Sequence, residues 1–149
     1  MIDKVRYSTQ PDGFKNERND CTVHALANST GCSYKDAHAC AELAGRKRTR
    51  GTRSYNVVNM AQKLGLATFT KIGLWKGGMM PVGSQARYPT LTEVLKRFPK
   101  GRYYARKRGH AFAIVDGVIV DGSVGQVGPR TRVKDLWKVE PMLSMTQTI

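Results

Sequence analysis

A cysteine, a histidine and an aspartate stand at positions of this chain from which their side chains can do chemistry together. Cys21 opens the apolar helical pattern CTVHALANSTG, directly after the polar residues RND. A thiol at the start of a helix lies at the positive end of the helix dipole, which favours the nucleophilic thiolate. The backbone N–H of Cys21 can also stabilise an oxyanion there. The position therefore predicts a nucleophile that needs a base from elsewhere in the chain.

His110 is the residue that we expect to supply this base. It opens the strand pattern HAFAIV, and a strand-borne imidazole can approach a helix start across a cleft between helices and sheet. The alternative is His24, three residues after Cys21 in the same helix. Its ring lies one turn deeper in the helix and points toward the core rather than toward a substrate.

The orienting carboxylate is predicted from the geometry of a hairpin. The dipeptide Asp116-Gly117 predicts a two-residue turn, and counting outward from it places Phe112 opposite Asp121. His110 shares that face because side chains alternate along a strand, so Asp121 is its diagonal cross-strand neighbour. A carboxylate there can fix the tautomer and orientation of the imidazole.

The elements that must position these residues are helical first and β-rich later. Helical patterns cover CTVHALANSTG, SYKDAHACAELAG and SYNVVNMAQKLG, with Ser33 and Ser54 as the expected N-caps of the second and third, and a fourth helix begins at the capping box of Thr90 and Glu93. Strands are predicted for LATFTKI, for short segments after Arg102 that Gly turns separate, and for RVKDLWKVEP. We therefore expect an α+β fold in which N-terminal helices pack on one side of a C-terminal antiparallel sheet.

The length of 149 residues fits a single domain over residues 1–149, with an N-terminal lead at 1–15 and a C-terminal tail at 140–149. The breaker-rich segment GLWKGGMMPVGSQARYP predicts a long surface loop, and Trp75 and Trp137 are expected in the core or at the cleft. The sequence has neither a membrane-length apolar run nor the pattern of a secretory signal. We expect a soluble protein of the cytoplasm of the producing or infected cell, or of a virion.

The charge of the chain is strongly positive. Lys and Arg number 25 against 11 Asp and Glu, which gives a net charge of +14 and attracts polyanions or acidic proteins. The run GRKRTRGTR, with basic residues from Arg46 to Arg53, predicts a solvated charged face or, as the alternative, a surface that binds a polyanion or an acidic partner. Arg106, Lys107 and Arg108 directly precede the expected base, which suggests a substrate that is acidic around the attacked bond, or a bound polyanion.

The remaining cysteines are expected to be structural. Cys32 follows a helix-ending glycine, and Cys40 lies among small residues of a helix. A competing hypothesis uses Cys21, His24, His38 and Cys40 as zinc ligands beside basic runs that bind nucleic acid. His38 and Cys40 point about 200° apart on a helix, which disfavours that site. We therefore expect no metal and no cofactor.

The segments NDCTVHALA and GHAFAIVDGVIVDG together resemble the papain-like cysteine peptidase superfamily, and in particular its small members of bacterial and phage type. The resemblance covers residues 16–122. Such families place a Cys on the first core helix, a His at the start of a sheet strand and an Asp or Asn on the next strand. The resemblance thus implies a papain-like fold with Cys21, His110 and Asp121 as the catalytic triad.

The chain departs from the family pattern near the nucleophile. Family members commonly carry a Gln or a similar amide a few residues before the Cys to complete the oxyanion hole. Here Asn19, or Asn16 as the alternative, is the amide that can serve. Thr22 stands where a Gly often follows the Cys in the family.

Two functions follow from these patterns. The first is a cysteine peptidase or related thiol acyl-transfer hydrolase that acts on a protein or peptide, with a phage origin implied by the resemblance. The second is a noncatalytic basic binding protein, for nucleic acid or as a virion or assembly component, that keeps the peptidase fold. They differ in whether Cys21 is required.

Overall fold

The computed structural model describes residues 5–74 and 88–142. The helices are α1 (Cys21–Thr30), α2 (Tyr34–Leu43), α3 (Ser54–Lys63) and α4 (Leu91–Arg97). The strands are β1 (Val5–Tyr7), β2 (Ala67–Lys71), β3 (Arg102–Lys107), β4 (His110–Val115), β5 (Val118–Asp121) and β6 (Asp135–Pro141). This content confirms the predicted α+β class.

The strands form one six-stranded sheet in the order β1-β5-β4-β3-β6-β2. β3, β4 and β5 form the predicted antiparallel meander, and β6 pairs antiparallel with both β3 and β2. β1 pairs parallel with β5 at the edge, with Tyr7 opposite Asp121, so the prediction of a wholly antiparallel sheet is wrong. Three residues are too few to show the alternating pattern of a strand, so β1 was included in the expected N-terminal lead at 1–15.

Residues 140–141 belong to β6, which agrees with the strand predicted for RVKDLWKVEP and contradicts a tail that begins at residue 140. Two predictions fall beyond the described residues: Trp75 and most of the segment expected to form a surface loop. Trp137 lies in the core as expected, with its ring 5.5 Å from that of Tyr104. Among residues 5–74 and 88–142, no helix has the length and apolar character needed to cross a membrane.

Local signals fix where the helices begin and end. α1 begins at Cys21 as predicted and ends at Gly31, which adopts a left-handed φ of 84°. Ser33 caps α2 by accepting the N–H of Asp36, and the predicted capping box starts α4. Ser54 is the first residue of α3 rather than its cap, and Arg53 takes the N-cap position.

Helices cover both faces of the sheet. α1, α2 and α3 share one buried cluster with sheet residues such as Tyr104 and Ala111. Leu91 and Val94 of α4 belong to a second cluster, with Phe112 and other residues of the meander. The prediction that helices pack on one side is therefore wrong for α4. The central strand β4 is buried along almost its whole length, so both of its faces need an apolar cover.

The predicted hairpin is present with the predicted register. Asp116 and Gly117 adopt φ values of 49° and 77°, which are those of a tight two-residue hairpin turn. The ladder pairs Val115 with Val118, and its continuation beyond Ala113 and Val120 brings Phe112 opposite Asp121. The sequence count that selected Asp121 is thus confirmed.

Candidate active site

Three element ends meet at one end of the sheet. Cys21 is the first residue of α1, His110 the first residue of β4, and Asp121 the last residue of β5. α1 lies across β4 and shares the core cluster with Ala111, which brings its N-terminus to the start of that strand. The three residues predicted to form a triad are therefore neighbours in the folded chain.

His110 and Asp121 form a buried pair. The Nε2 atom of His110 lies 2.9 Å from both carboxylate oxygens of Asp121. The exposed fractions are 7% for His110 and 1% for Asp121, so little water competes for this contact. Since Asp121 occupies Nε2, the other ring nitrogen, Nδ1, remains for Cys21.

The protonation of His110 depends on both of its neighbours. Burial lowers the pKa of His110, but hydrogen bonds to Asp121 and Cys21 outweigh it and raise that pKa from 6.5 to about 9. A raised histidine pKa means that the protonated form is favoured, so the imidazolium is the major form at neutral pH. A cation therefore stands beside the sulfur of Cys21 at neutral pH.

Backbone contacts hold Asp121 in place. Its carbonyl oxygen accepts the N–H of Ser8 at 2.8 Å, directly after β1. Its Oδ1 atom accepts the N–H of Ser123 at 3.3 Å. The edge strand that the sequence analysis missed therefore anchors the residue that orients His110.

A cleft of about 780 Å³ opens beside the triad. The start of α1, the segment 51–55, the β3–β4 turn and the loop after β5 form its walls. The predicted site residues that line it are Asn19, Cys21, Arg106 and His110. Lys107 ends β3 and Arg108 lies in the β3–β4 turn, and neither lines the cleft. Gln126 and Ser123 line it without having been predicted.

Asn19, the predicted oxyanion donor, lines the same cleft as Cys21. It has a left-handed φ of 51°, which asparagine tolerates better than most residues. Its Nδ2 atom donates to the carbonyl oxygen of Thr49 at 3.0 Å, and the amide carries a second N–H group. The alternative, Asn16, is exposed and lies outside the lining of the cleft.

His24 belongs to a separate buried network. Its Nε2 atom lies 3.1 Å from Asp20, and its Nδ1 atom lies 2.7 Å from the hydroxyl of Ser8. Burial would raise the pKa of Asp20, but hydrogen bonds from His24 and Tyr34 outweigh it and hold that pKa well below its usual range. Both ring nitrogens of His24 are thus occupied, and the residue is only 3% exposed. Its role is to support the start of α1 through the contact with Asp20.

A second buried network joins the basic loop to Glu17, in the segment that precedes α1. Arg46 is 4% exposed and donates to both carboxylate oxygens of Glu17, at 3.0 and 3.1 Å. Glu17 also accepts the N–H of Thr49 at 2.8 Å and contacts His38. These hydrogen bonds, that of Arg46 foremost, lower the pKa of Glu17 to about 2. The prediction that Arg46 is solvated is therefore wrong, while the rest of the run is not buried.

A third network joins β6 to α3 and β3 at the cleft wall. Asp135 accepts from Arg106 Nε at 2.6 Å, from the Tyr55 hydroxyl at 2.9 Å and from Lys71 Nζ at 2.9 Å. Burial would raise the pKa of Asp135, yet its hydrogen bonds with Lys71 and Arg106 lower it. Sequence reasoning missed Asp135 and Glu17 because each pairs with residues far along the chain.

The other two cysteines occupy apolar surroundings. Burial raises the pKa of Cys32, and it raises the pKa of Cys40 to about 11. These directions fit their predicted structural roles. Across the described ranges, no group of three or more His, Cys, Asp or Glu side chains is arranged to hold a metal ion. Of the four residues in the zinc hypothesis, His24 contacts Asp20 and Ser8, and His38 contacts Glu17 and Glu42.

Comparisons of the chain with protein-family models, with curated proteins and with solved structures give no match.

The first prediction concerns the Asp121 carboxylate. Asp121→Asn removes the charge that stabilises the imidazolium, so the pKa of His110 should fall from about 9 toward 6.5. NMR titration of the histidine ring resonances measures the pKa of His110. Asp12→Asn, which changes an exposed carboxylate, is the matched control and should leave the titration unchanged. An equal pKa in both variants would contradict the assigned role of Asp121.

The second prediction concerns Gly122, which follows Asp121. A Cβ atom at this position would lie 2.4 Å from two ring atoms of His24, a severe overlap. Gly122→Ala should therefore destabilise the fold by about 1–3 kcal/mol in urea unfolding. Gly128→Ala is the control, because its Cβ would meet open space, and it should change the free energy of unfolding by under about 0.5 kcal/mol. Equal stability of the two variants would show that the contact with His24 is unimportant.

Proposed function

We propose that this protein is a cysteine peptidase-like hydrolase that cleaves an amide bond in a protein or peptide through a thioester. The observation that carries the proposal is the pairing of His110 with Asp121 beside Cys21, at the wall of an open cleft. A nucleophile, a base and an orienting carboxylate in contact are the parts that such chemistry requires.

Acylation is the first half of the proposed reaction. The sulfur of Cys21 attacks the carbonyl carbon, and the C=O electron pair moves onto oxygen to give a tetrahedral oxyanion. The N–H of Cys21 and the side-chain amide of Asn19 are the donors that can stabilise this oxyanion. When the oxyanion collapses, the C–N bond breaks and the His110 imidazolium gives its Nδ1 proton to the leaving nitrogen. A free amine departs and the acyl group stays on Cys21.

In deacylation, the second half of the reaction, His110 acts as a base instead of an acid. Neutral His110 takes a proton from water through Nδ1 while the water oxygen attacks the thioester carbon. The second tetrahedral intermediate expels the sulfur of Cys21 as thiolate and releases a carboxylic acid. Asp121 holds Nε2 throughout, which keeps Nδ1 as the nitrogen that moves protons. An amine in place of water would take the acyl group by the same steps, although we propose hydrolysis as the main reaction.

We further propose that the α+β fold is of the papain-like kind and that the protein is encoded by a phage and acts in the infected cell or the virion. The support is the order of the residues in the chain. A Cys at the start of the first helix, a His at the start of a strand and an Asp on the next strand follow the arrangement that the sequence resembles.

The third prediction tests the nucleophile by labelling with iodoacetamide. Cys21 should react faster than Cys32 and Cys40, because burial raises the pKa of the latter two. His110→Ala should slow labelling of Cys21 by about tenfold or more at neutral pH, since it removes the adjacent cation. Mass spectrometry of the labelled peptides gives each rate.

Cys32→Ala serves as the control for that experiment and should leave both the labelling of Cys21 and any peptidase activity unchanged. Cys21→Ala should abolish that activity. Equal labelling of the three cysteines, or activity that survives in Cys21→Ala, would remove Cys21 as the nucleophile.

The net charge of +14 supports a second candidate, a basic protein that binds nucleic acid. Exposed residues of the basic loop, Lys47, Arg48 and Arg50, offer charges for such contacts. The fourth prediction for this candidate is binding to duplex DNA that weakens steeply between about 50 and 200 mM salt and is equal in Cys21→Ala. Fluorescence anisotropy measures it. A lack of binding at low salt rejects this candidate.

A further inference from the structure

One wall of the cleft is positively charged. Arg53 is exposed, lines the cleft and stands at the N-cap of α3. Arg106, at the end of β3, lines the same cleft. From sequence, Arg53 was assigned only to a basic loop that is solvated or binds a polyanion, so its position at the cleft beside Cys21 is a finding of the structure.

The two arginines lie on the same side of the cleft. Tyr55, in the first turn of α3, donates to Asp135, and Arg106 donates to the same carboxylate. This shared acceptor brings the start of α3 next to the end of β3. Asp135 also pairs with Lys71, so one negative charge faces two positive ones and the group stays positive. Within residues 5–74 and 88–142, Arg53 has no salt-bridge partner.

The start of α3 adds to this charge. Arg53 provides no side-chain cap, and the first turn of α3 holds no acidic residue. The first N–H groups of a helix have no intrahelical acceptor and attract anions. Ser54 and Tyr55, the first two residues of α3, line the cleft, so its positive end faces the space that a substrate would occupy.

The start of α1 also contributes polar side chains to the lining of the cleft. Asp20 is the acidic residue among those found to line the cleft, and its carboxylate already accepts from Tyr34, Gln10 and His24. Thr22 also lines the cleft, and its buried hydroxyl has no hydrogen-bond partner in the described structure. A side chain that is 2% exposed and unpaired is costly unless a ligand satisfies it.

We propose that Arg53, together with Arg106 and the start of α3, binds a carboxylate of the substrate next to the amide bond that Cys21 attacks. The substrate class is a peptide with an acidic side chain, or with a free terminal carboxylate, beside the cleaved bond. The choice of substrate rests on the proposed peptidase function, whereas the attraction of an anion toward Cys21 does not. Arg53 is thus a specificity-determining residue that the sequence had placed only within a basic loop.

The fifth prediction uses two small reagents that differ in charge. Iodoacetate and iodoacetamide both alkylate a cysteine: the sulfur forms a bond to the CH₂ carbon and iodide leaves. Iodoacetate carries a carboxylate and iodoacetamide does not. The ratio of their rates at Cys21 therefore reports the local preference for an anion. Arg53→Gln should lower this ratio by about threefold or more, because it removes one positive charge from the cleft.

The controls separate a local effect from a change in total charge. Arg48→Gln changes an exposed arginine of the same loop outside the cleft and should leave the ratio unchanged. Arg53→Lys keeps the charge and should keep most of the preference. An unchanged ratio in Arg53→Gln, or an equal fall in Arg48→Gln, overturns the proposal. Because the readout is alkylation, it gives an answer even if the protein cleaves no peptide.

Peptide cleavage then identifies the source of the carboxylate. Matched peptides carry Glu or Gln beside the cleaved bond, or end in a free carboxylate or an amide. Faster cleavage of the Glu peptide, lost in Arg53→Gln, assigns an acidic side chain, and faster cleavage of the free carboxylate assigns a chain terminus. Equal rates within both pairs overturn the acidic substrate while leaving the peptidase function intact. No cleavage by the native protein, combined with a lowered alkylation ratio, rejects the peptidase function and retains the anion site.

Discussion

The packing of α1 across β4 is the constraint on which the candidate site depends. Cys21 and His110 are each the first residue of an element, so they meet only if the helix crosses the strand at one position along its length. Small side chains permit the close approach, with Ala25 of α1 and Ala111 of β4 buried in the same cluster. At the far end of the helix, Arg102 donates to the carbonyl oxygens of the last turn of α1. A shift by one helical turn, about 5.4 Å, would separate sulfur from imidazole.

Buried carboxylates then join the surrounding segments to this frame. Among the residues that the structure describes, the acidic side chains that are almost wholly buried are those of Glu17, Asp20, Asp121 and Asp135. A carboxylate in such surroundings is tolerated only with donors around it, and each of these four has them. Each also holds one part of the cleft in place. Glu17 holds the loop beside Asn19 and Asp20 holds the start of α1. Asp121 holds the imidazole of His110, and Asp135 holds the wall that carries Arg106. A chain with only 11 acidic residues thus places four of them where they determine the shape of the site.

Local chemistry in the sequence was enough to predict much of this arrangement. Gly31, the capping box of α4 and the Asp116-Gly117 turn act over a few residues, and the hairpin turn alone fixed which carboxylate faces His110. What could not be predicted depends on contacts between distant segments. β1 is three residues long and is recognisable only through its pairing with β5. Arg46 and Arg53 belong to one basic run. Arg46 is buried in a pair with the carboxylate of Glu17, 29 residues away, whereas Arg53 lies at the cleft.

The structure contains two histidine–aspartate pairs, and the difference between them explains why only one is suited to catalysis. His24 has a partner at each ring nitrogen, Asp20 and the hydroxyl of Ser8, so its ring cannot move a proton to or from a ligand. His110 gives only Nε2 to Asp121 and keeps the other nitrogen for the sulfur at the cleft. The two pairs are not independent, because Ser8 also donates its N–H to the carbonyl of Asp121. The network that withdraws His24 from chemistry therefore helps to hold the residue that orients His110.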